Sequence, residues 1–232
     1  MFAIGHFSLA YILGKYSAKI VNSKINFALL FTASILPDID LFFLDFIKHR
    51  GPTHSLIFCL LIFIPLFIKY KKKAIPYFIV LLSHPLIGDI FSGGTQLFWP
   101  ISNQFIYISN ISVINNTHIA LELILFIAST IIMIASSDIK KIVSEKTNIF
   151  YWIIPFGSVL LPLLITPKNY NHIPTLLLIP SLYYIGLFLS AIYSNILKLR
   201  KPNTPWKYQI KKPNHTLFQS KMQIGGMNSF GL

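Results

Sequence analysis

Nine of the histidine and acid side chains in the first 122 residues of this 232-residue sequence form a series of metal-ligating types: His6, Asp38, Asp40, His49, His54, His84, Asp89, His118 and Glu122. Most lie at the ends of apolar runs, with few other polar residues nearby. An ionisable group at membrane depth costs kilocalories and by default marks a functional site. Neutral imidazole and carboxylate are the ligands of zinc and other borderline divalent ions. The combination reads as a metal site inside a polytopic membrane protein.

Spacing sorts these groups into motifs. Pro37-Asp38-Ile39-Asp40 closes an apolar run; proline stops the helix and the carboxylates diverge from a turn, although Asp38 also suits an ordinary helix cap. In His49-Arg50-Gly51-Pro52-Thr53-His54-Ser55, glycine and proline set a tight turn between two imidazoles. Thr53 or Ser55 can cap the helix that follows. Arg50 offers a bidentate fork for a phosphate or carboxylate.

His84 and Asp89 are five residues apart, about 140° around a straight helix, which is poor for one ion unless Pro85 and Gly88 loosen the backbone. His118 and Glu122 have the cleanest spacing: i and i+4 share a helical face, where both reach one ion or bond each other. Gly93-Gly94-Thr95 reads as a turn, and Leu97-Phe98-Trp99-Pro100 as an apolar lip at the membrane interface. His172 and His215 stand apart and receive no role.

Membrane helices must position these groups. The chain is 54% hydrophobic and 12% charged, with mean hydropathy +0.63; soluble domains carry about 25% charged residues. Its one cysteine, Cys59, excludes an intrachain disulfide and a cysteine-based zinc knuckle, and reads as a small buried apolar residue. Apolar runs at about 2–14, 25–37, 55–68, 74–91, 118–136, 149–166 and 173–197 predict an all-α bundle of six or seven apolar helices. The first three are shorter than the roughly 20 residues that a clean crossing needs. Residues 1–136 hold the expected membrane-embedded metal-site domain, 137–197 add transmembrane helices, and 198–232 form a basic, poorly ordered tail. The N-terminal segment lacks the basic region and small-residue cleavage site of a secretory signal, and is expected to stay in the mature protein.

The net charge of +13 is gathered in short loops and in the tail. That is a topogenic pattern rather than a nucleic-acid stripe, so membrane lipid is the expected partner. If every run crosses with residue 1 outside, all basic residues but Lys48, Arg50 and Lys168 fall inside. The nine candidate groups then fall on the outer side together. The expectation is a multi-pass cell-membrane protein with an extracytoplasmic site and a cytoplasmic tail.

The series Leu36-Pro37-Asp38-Ile39-Asp40, His49 through Ser55, His84 through Asp89, Gly93-Gly94 and Phe98-Trp99-Pro100 resembles the membrane-bound metal-dependent hydrolases, also described as LexA-binding inner-membrane-associated hydrolases. The likeness covers residues 1–122 and is most specific at His49–Ser55. It implies metal-dependent hydrolase activity with Asp38, Asp40, His49, His54, His84 and Asp89 at the shared motif positions. His6, His118 and Glu122 are added from topology and spacing. The paired His and acid residues are more distantly similar to zinc-dependent phospholipase C. A LexA partner lies on the side opposite to the one the charge count gives the site, and the charge count is followed.

These readings lead to a metal-dependent hydrolase acting on a phosphoester, such as a lipid headgroup. His54, His84, Asp89, Asp38, His118, Glu122 and His6 would hold one or two divalent ions, zinc or manganese. Asp38 or Asp40 would take a proton from water, with His49 beside it, and Arg50 would clamp substrate. The rival readings are a metal-ion or proton transporter, whose ionisable groups belong near the bilayer midplane, and a non-catalytic membrane scaffold.

Overall fold

Side-chain oxygens from the loops decide where several helices begin. In a computed structural model that describes residues 1–43, 46–109, 111–164 and 173–200, the elements are α1 (Ala3–Ile20), α2 (Phe27–Ile35), α3 (Leu56–Tyr70), α4 (Ile75–Ser83), α5 (Asn116–Ala135), α6 (Asp138–Ser144), α7 (Phe150–Leu164) and α8 (Leu178–Arg200). Asn26 accepts the Leu29 amide at 2.9 Å and opens α2. Ser55 does the same for α3 through Phe58, at 3.1 Å, and Asn115 for α5 through Thr117, at 2.9 Å. Each satisfies an amide that the helix leaves unpaired. The Glu145 carboxylate adds charge at the start of α2, accepting from Phe27 and Ala28 at 3.1 and 3.0 Å.

Helix α1 runs through the middle of the bundle, against α2, α4 and α5. Helix α7 packs on α2. Their common core is aromatic: Phe7, Phe31, Trp152, Tyr184 and Phe188 are all fully buried and meet at centroid distances of 5.2 to 6.4 Å. Cys59 is buried, as its apolar surroundings suggest.

The expected all-helical class stands, with no strand among the described residues. Six or seven crossings are not shown: among the described residues, two helices are long and apolar enough to span a bilayer, Asn116–Ala135 and Thr175–Leu199. Helices α2 and α4 have nine residues each, about 14 Å, half of a hydrocarbon core. Prolines and polar residues cut the apolar runs into shorter helices that pack on one another. On α5, Ile124, Ile127, Ile131 and Ile134 leave an exposed apolar stripe, while Glu122 faces inward. His172, His215 and residues 201–232 of the basic tail lie outside the described residues.

Three irregular segments carry the polar motifs. A 3-10 helix, Leu36–Phe42, continues α2 through Pro37; another, Pro52–His54, precedes α3; and a π-helix, His84–Asp89, ends α4. Single π-turns at helix ends are rare and recur at functional sites.

Candidate metal centre

The π-turn resolves the awkward spacing of His84 and Asp89. Its i→i+5 pitch brings residues five apart back towards one face, where a straight α-helix would separate them. Gly88 permits the turn to close against α1: a Cβ at this position would run into the His6 ring. His84 Nε2 and Asp89 Oδ2 consequently stand 3.3 Å apart.

Two further ligands arrive from the 3-10 segments. Asp38 Oδ1 lies 3.3 Å from His84 Nε2 and 3.4 Å from His54 Nε2, and His54 Nε2 lies 3.2 Å from Asp89 Oδ2. All four ligand atoms are within 4.8 Å of one another. A tetrahedron with metal–ligand bonds of about 2.0–2.2 Å has edges of about 3.3–3.6 Å. The four contacts match that edge.

Both Nε2 atoms are buried and make no hydrogen bond, although each has two carboxylate oxygens at this range. A buried polar atom left this way is costly and calls for a partner. The opposite ring nitrogens are occupied. His84 Nδ1 is 2.6 Å from the Ser34 carbonyl oxygen, and His54 Nδ1 lies 3.1 Å from Thr53 Oγ1 and 3.3 Å from Asp40 Oδ2. Metal-binding histidines are held in this manner, with the second nitrogen donating to a carbonyl or carboxylate. The donor set, the distances and the unpartnered nitrogens fit one divalent ion.

Burial divides the four. His54, His84 and Asp89 are closed off, whereas the Asp38 side chain is 23% exposed. Asp38 therefore marks the mouth. Three carboxylates outweigh burial at His54: although desolvation acts downward, the proximity of Asp38, Asp40 and Asp89 holds its pKa well above the usual imidazole value. Burial opposes ionisation of Asp38, but the charge of His84 and the nearby His54 imidazole hold its carboxyl well below the usual range.

Asp40 is saturated. Its Oδ1 meets His49 Nδ1 at 3.0 Å, and its Oδ2 accepts from the Arg50 amide at 2.9 Å and Thr53 Oγ1 at 3.0 Å. Burial would raise its pKa, but hydrogen bonds from His49 and His54 bring it down to about 2. A base with so low a pKa suits orientation better than proton abstraction near neutrality. Asp40, His49 and His54 form a second group whose ligand atoms lie within 4.8 Å.

Other expected members sit beside the quartet and not in it. His6 stacks on His84, at 3.8 Å between centroids, with its Nε2 3.8 Å from Asp89 Oδ1. His118 and Glu122 each hold a backbone group. His118 Nε2 meets the Phe91 carbonyl oxygen at 3.1 Å, and Glu122 Oε1 accepts the Phe2 amide at 2.9 Å. Their one-face spacing serves two separate anchors. Arg50 is also committed: its guanidinium binds the Ser92 carbonyl, reaches Ser92 Oγ at 3.3 Å and pairs with Asp89 Oδ1 at 3.3 Å. It adopts φ 63°, which aims the side chain across the turn that leaves Asp89. That turn uses Gly93 and Gly94 at positive φ, as their pairing in the sequence suggests. The Met1 amino group also bonds Asp89 Oδ1, at 3.0 Å.

The family model for the YdjM inner membrane protein matches residues 1–190, which include the whole quartet and every expected site residue. The chain belongs to this family. No curated protein and no solved structure matches it. Membership of an inner-membrane family, together with the two spanning-length helices, places the chain in the membrane.

Proposed function

We propose that this membrane protein is a metal-dependent hydrolase whose divalent ion is held by Asp38, His54, His84 and Asp89, with a phosphoester, such as a lipid headgroup, as substrate. One observation carries the reading: two buried imidazole nitrogens without hydrogen bonds face two carboxylates at tetrahedral-edge distances. The set of two nitrogens and two oxygens suits zinc, and manganese is the alternative. A bound ion supplies Lewis acidity that polarises a phosphoryl oxygen and acidifies water.

The chain supplies the rest. Asp40 fixes both neighbouring imidazoles, His54 through Nδ1 and His49 through Nδ1. His49, 25% exposed and 5.6 Å from His54 between centroids, is the group placed to handle a proton, with Asp40 steadying its Nδ1. Arg50 keeps Asp89 in place and so acts on substrate only through that ligand. Asp38, at the mouth, is the ligand beside which substrate enters. A site built from helix ends and turns suits surface chemistry better than carriage across the midplane.

The test is hydrolysis of bis(p-nitrophenyl) phosphate and a short-chain phospholipid by detergent-purified protein. Activity should disappear with chelator, return with zinc or manganese, and fall about 100-fold or more in His49→Ala with metal content unchanged. Fully metallated protein that cleaves neither probe would refute the hydrolase assignment.

A further inference from the structure

The other end of α1 carries a second feature that the hydrolase reading does not use. Lys15, Lys19, Lys24 and Lys141 line a cavity of about 910 Å³, with Ile12 and Phe27 among its apolar lining. It opens beside Ile132, near the end of α5, whereas His118 lies near the start of that helix and reaches the segment after Asp89. Fourteen residues of helix separate the two, about 21 Å. The quartet and the basic cavity therefore sit at opposite ends of a spanning-length helix.

Two carboxylates line this cavity, and both are engaged by the protein. Asp138 accepts from Lys15 Nζ, from Tyr11 at 2.8 Å, from Ser136 at 2.8 Å and from Lys141 Nζ at 2.6 Å. Glu145 caps α2. Lys19 and Lys24 are exposed and have no ion-pair partner among the described residues. Ser23 Oγ, on the same lining, is buried without a hydrogen bond. The cavity therefore combines unneutralised positive charge, a spare hydroxyl and a mostly apolar wall.

We infer that this cavity is a binding site for an anionic phospholipid, with the headgroup phosphate between Lys19, Lys24 and Ser23 Oγ and an acyl chain against Ile12 and Phe27. Charge complementarity selects the headgroup, and the apolar lining selects a lipid over a free anion. Lys15, Lys19, Lys24 and Lys141 gather at this end, the mark of the cytoplasmic side, whose anionic lipids attract juxtamembrane lysines. The inference stands on family membership and this cavity, and is independent of the metal and of hydrolysis.

Native mass spectrometry of the full chain in detergent, titrated with phosphatidylglycerol or phosphatidylcholine, tests it. Phosphatidylglycerol should be retained in preference, and K19A/K24A should weaken that retention roughly 25-fold, about fivefold for each lysine. K19R/K24R should restore it, and phosphatidylcholine retention should not change in either variant. Equal retention of both lipids would overturn the inference. So would undiminished phosphatidylglycerol binding by K19A/K24A, or its displacement by inorganic phosphate at equal concentration.

Discussion

The imidazole of His6 lies flat on that of His84, with centroids 3.8 Å apart and planes inclined by 6°. His84 is thus fixed from two directions, by this ring and by the Ser34 carbonyl oxygen at its Nδ1. A histidine from the first helix supports a ligand on the fourth without joining the ligand set.

His6→Ala should therefore weaken metal binding about 10- to 100-fold, the usual effect of removing an outer partner, and leave one ion per chain at saturation. A competition titration with a zinc-selective dye checks this. Complete loss of binding capacity would make His6 a ligand, and unchanged affinity would remove its supporting role.

Metal uptake should be linked to protons. Burial opposes the charge of His84, but Asp38 and Asp89 raise its pKa to about 8, so without metal the ring carries its proton at pH 7. Ligation needs the neutral ring, so binding releases a proton and affinity rises with pH until that raised pKa is passed. Calorimetry in buffers of different ionisation enthalpy should report proton release near pH 7.

The Asp138 cluster makes the opposite kind of prediction, about stability. Burial opposes its charge, but hydrogen bonds from Lys141, Lys15, Tyr11 and Ser136 hold its carboxyl well below the usual range. Its stabilisation is thus complete above about pH 4 and is lost as pH falls towards the lowered value. Asp138→Asn should cost about 2 kcal/mol at pH 7 and flatten the acid limb of the unfolding profile. Thermal melts between pH 2 and 7 measure both effects.

Much of the site was legible because polar groups in an apolar sequence have few innocent roles. Asp38, His54, His84 and Asp89 stood out by type and by position at the ends of runs, and they do meet. Their means of meeting was hidden. Five-residue spacing reads as divergent on an α-helix, and only the π-turn, with Pro85 inside it and Gly88 yielding space to His6, reverses that. Conversely, His118 and Glu122 had the best spacing and serve as backbone anchors, since periodicity gives a shared face but not what lies opposite. Arg50 looked available to substrate because nothing in the sequence places Asp89 and Ser92 against it. The Lys15–Asp138–Lys141 cluster was missed altogether; the acid next to Lys140 and Lys141 was its only signal. Run lengths do not fix the number of crossings, because a run of apolar residues records burial whether lipid or a neighbouring helix provides it.

Elemental analysis of the detergent-purified chain bears most directly on the quartet. The parent should carry about one zinc or manganese per chain, and His54→Ala with His84→Ala should reduce it to background while the chain keeps its helical circular dichroism. A folded double variant that retains its full metal content would contradict the ligand assignment.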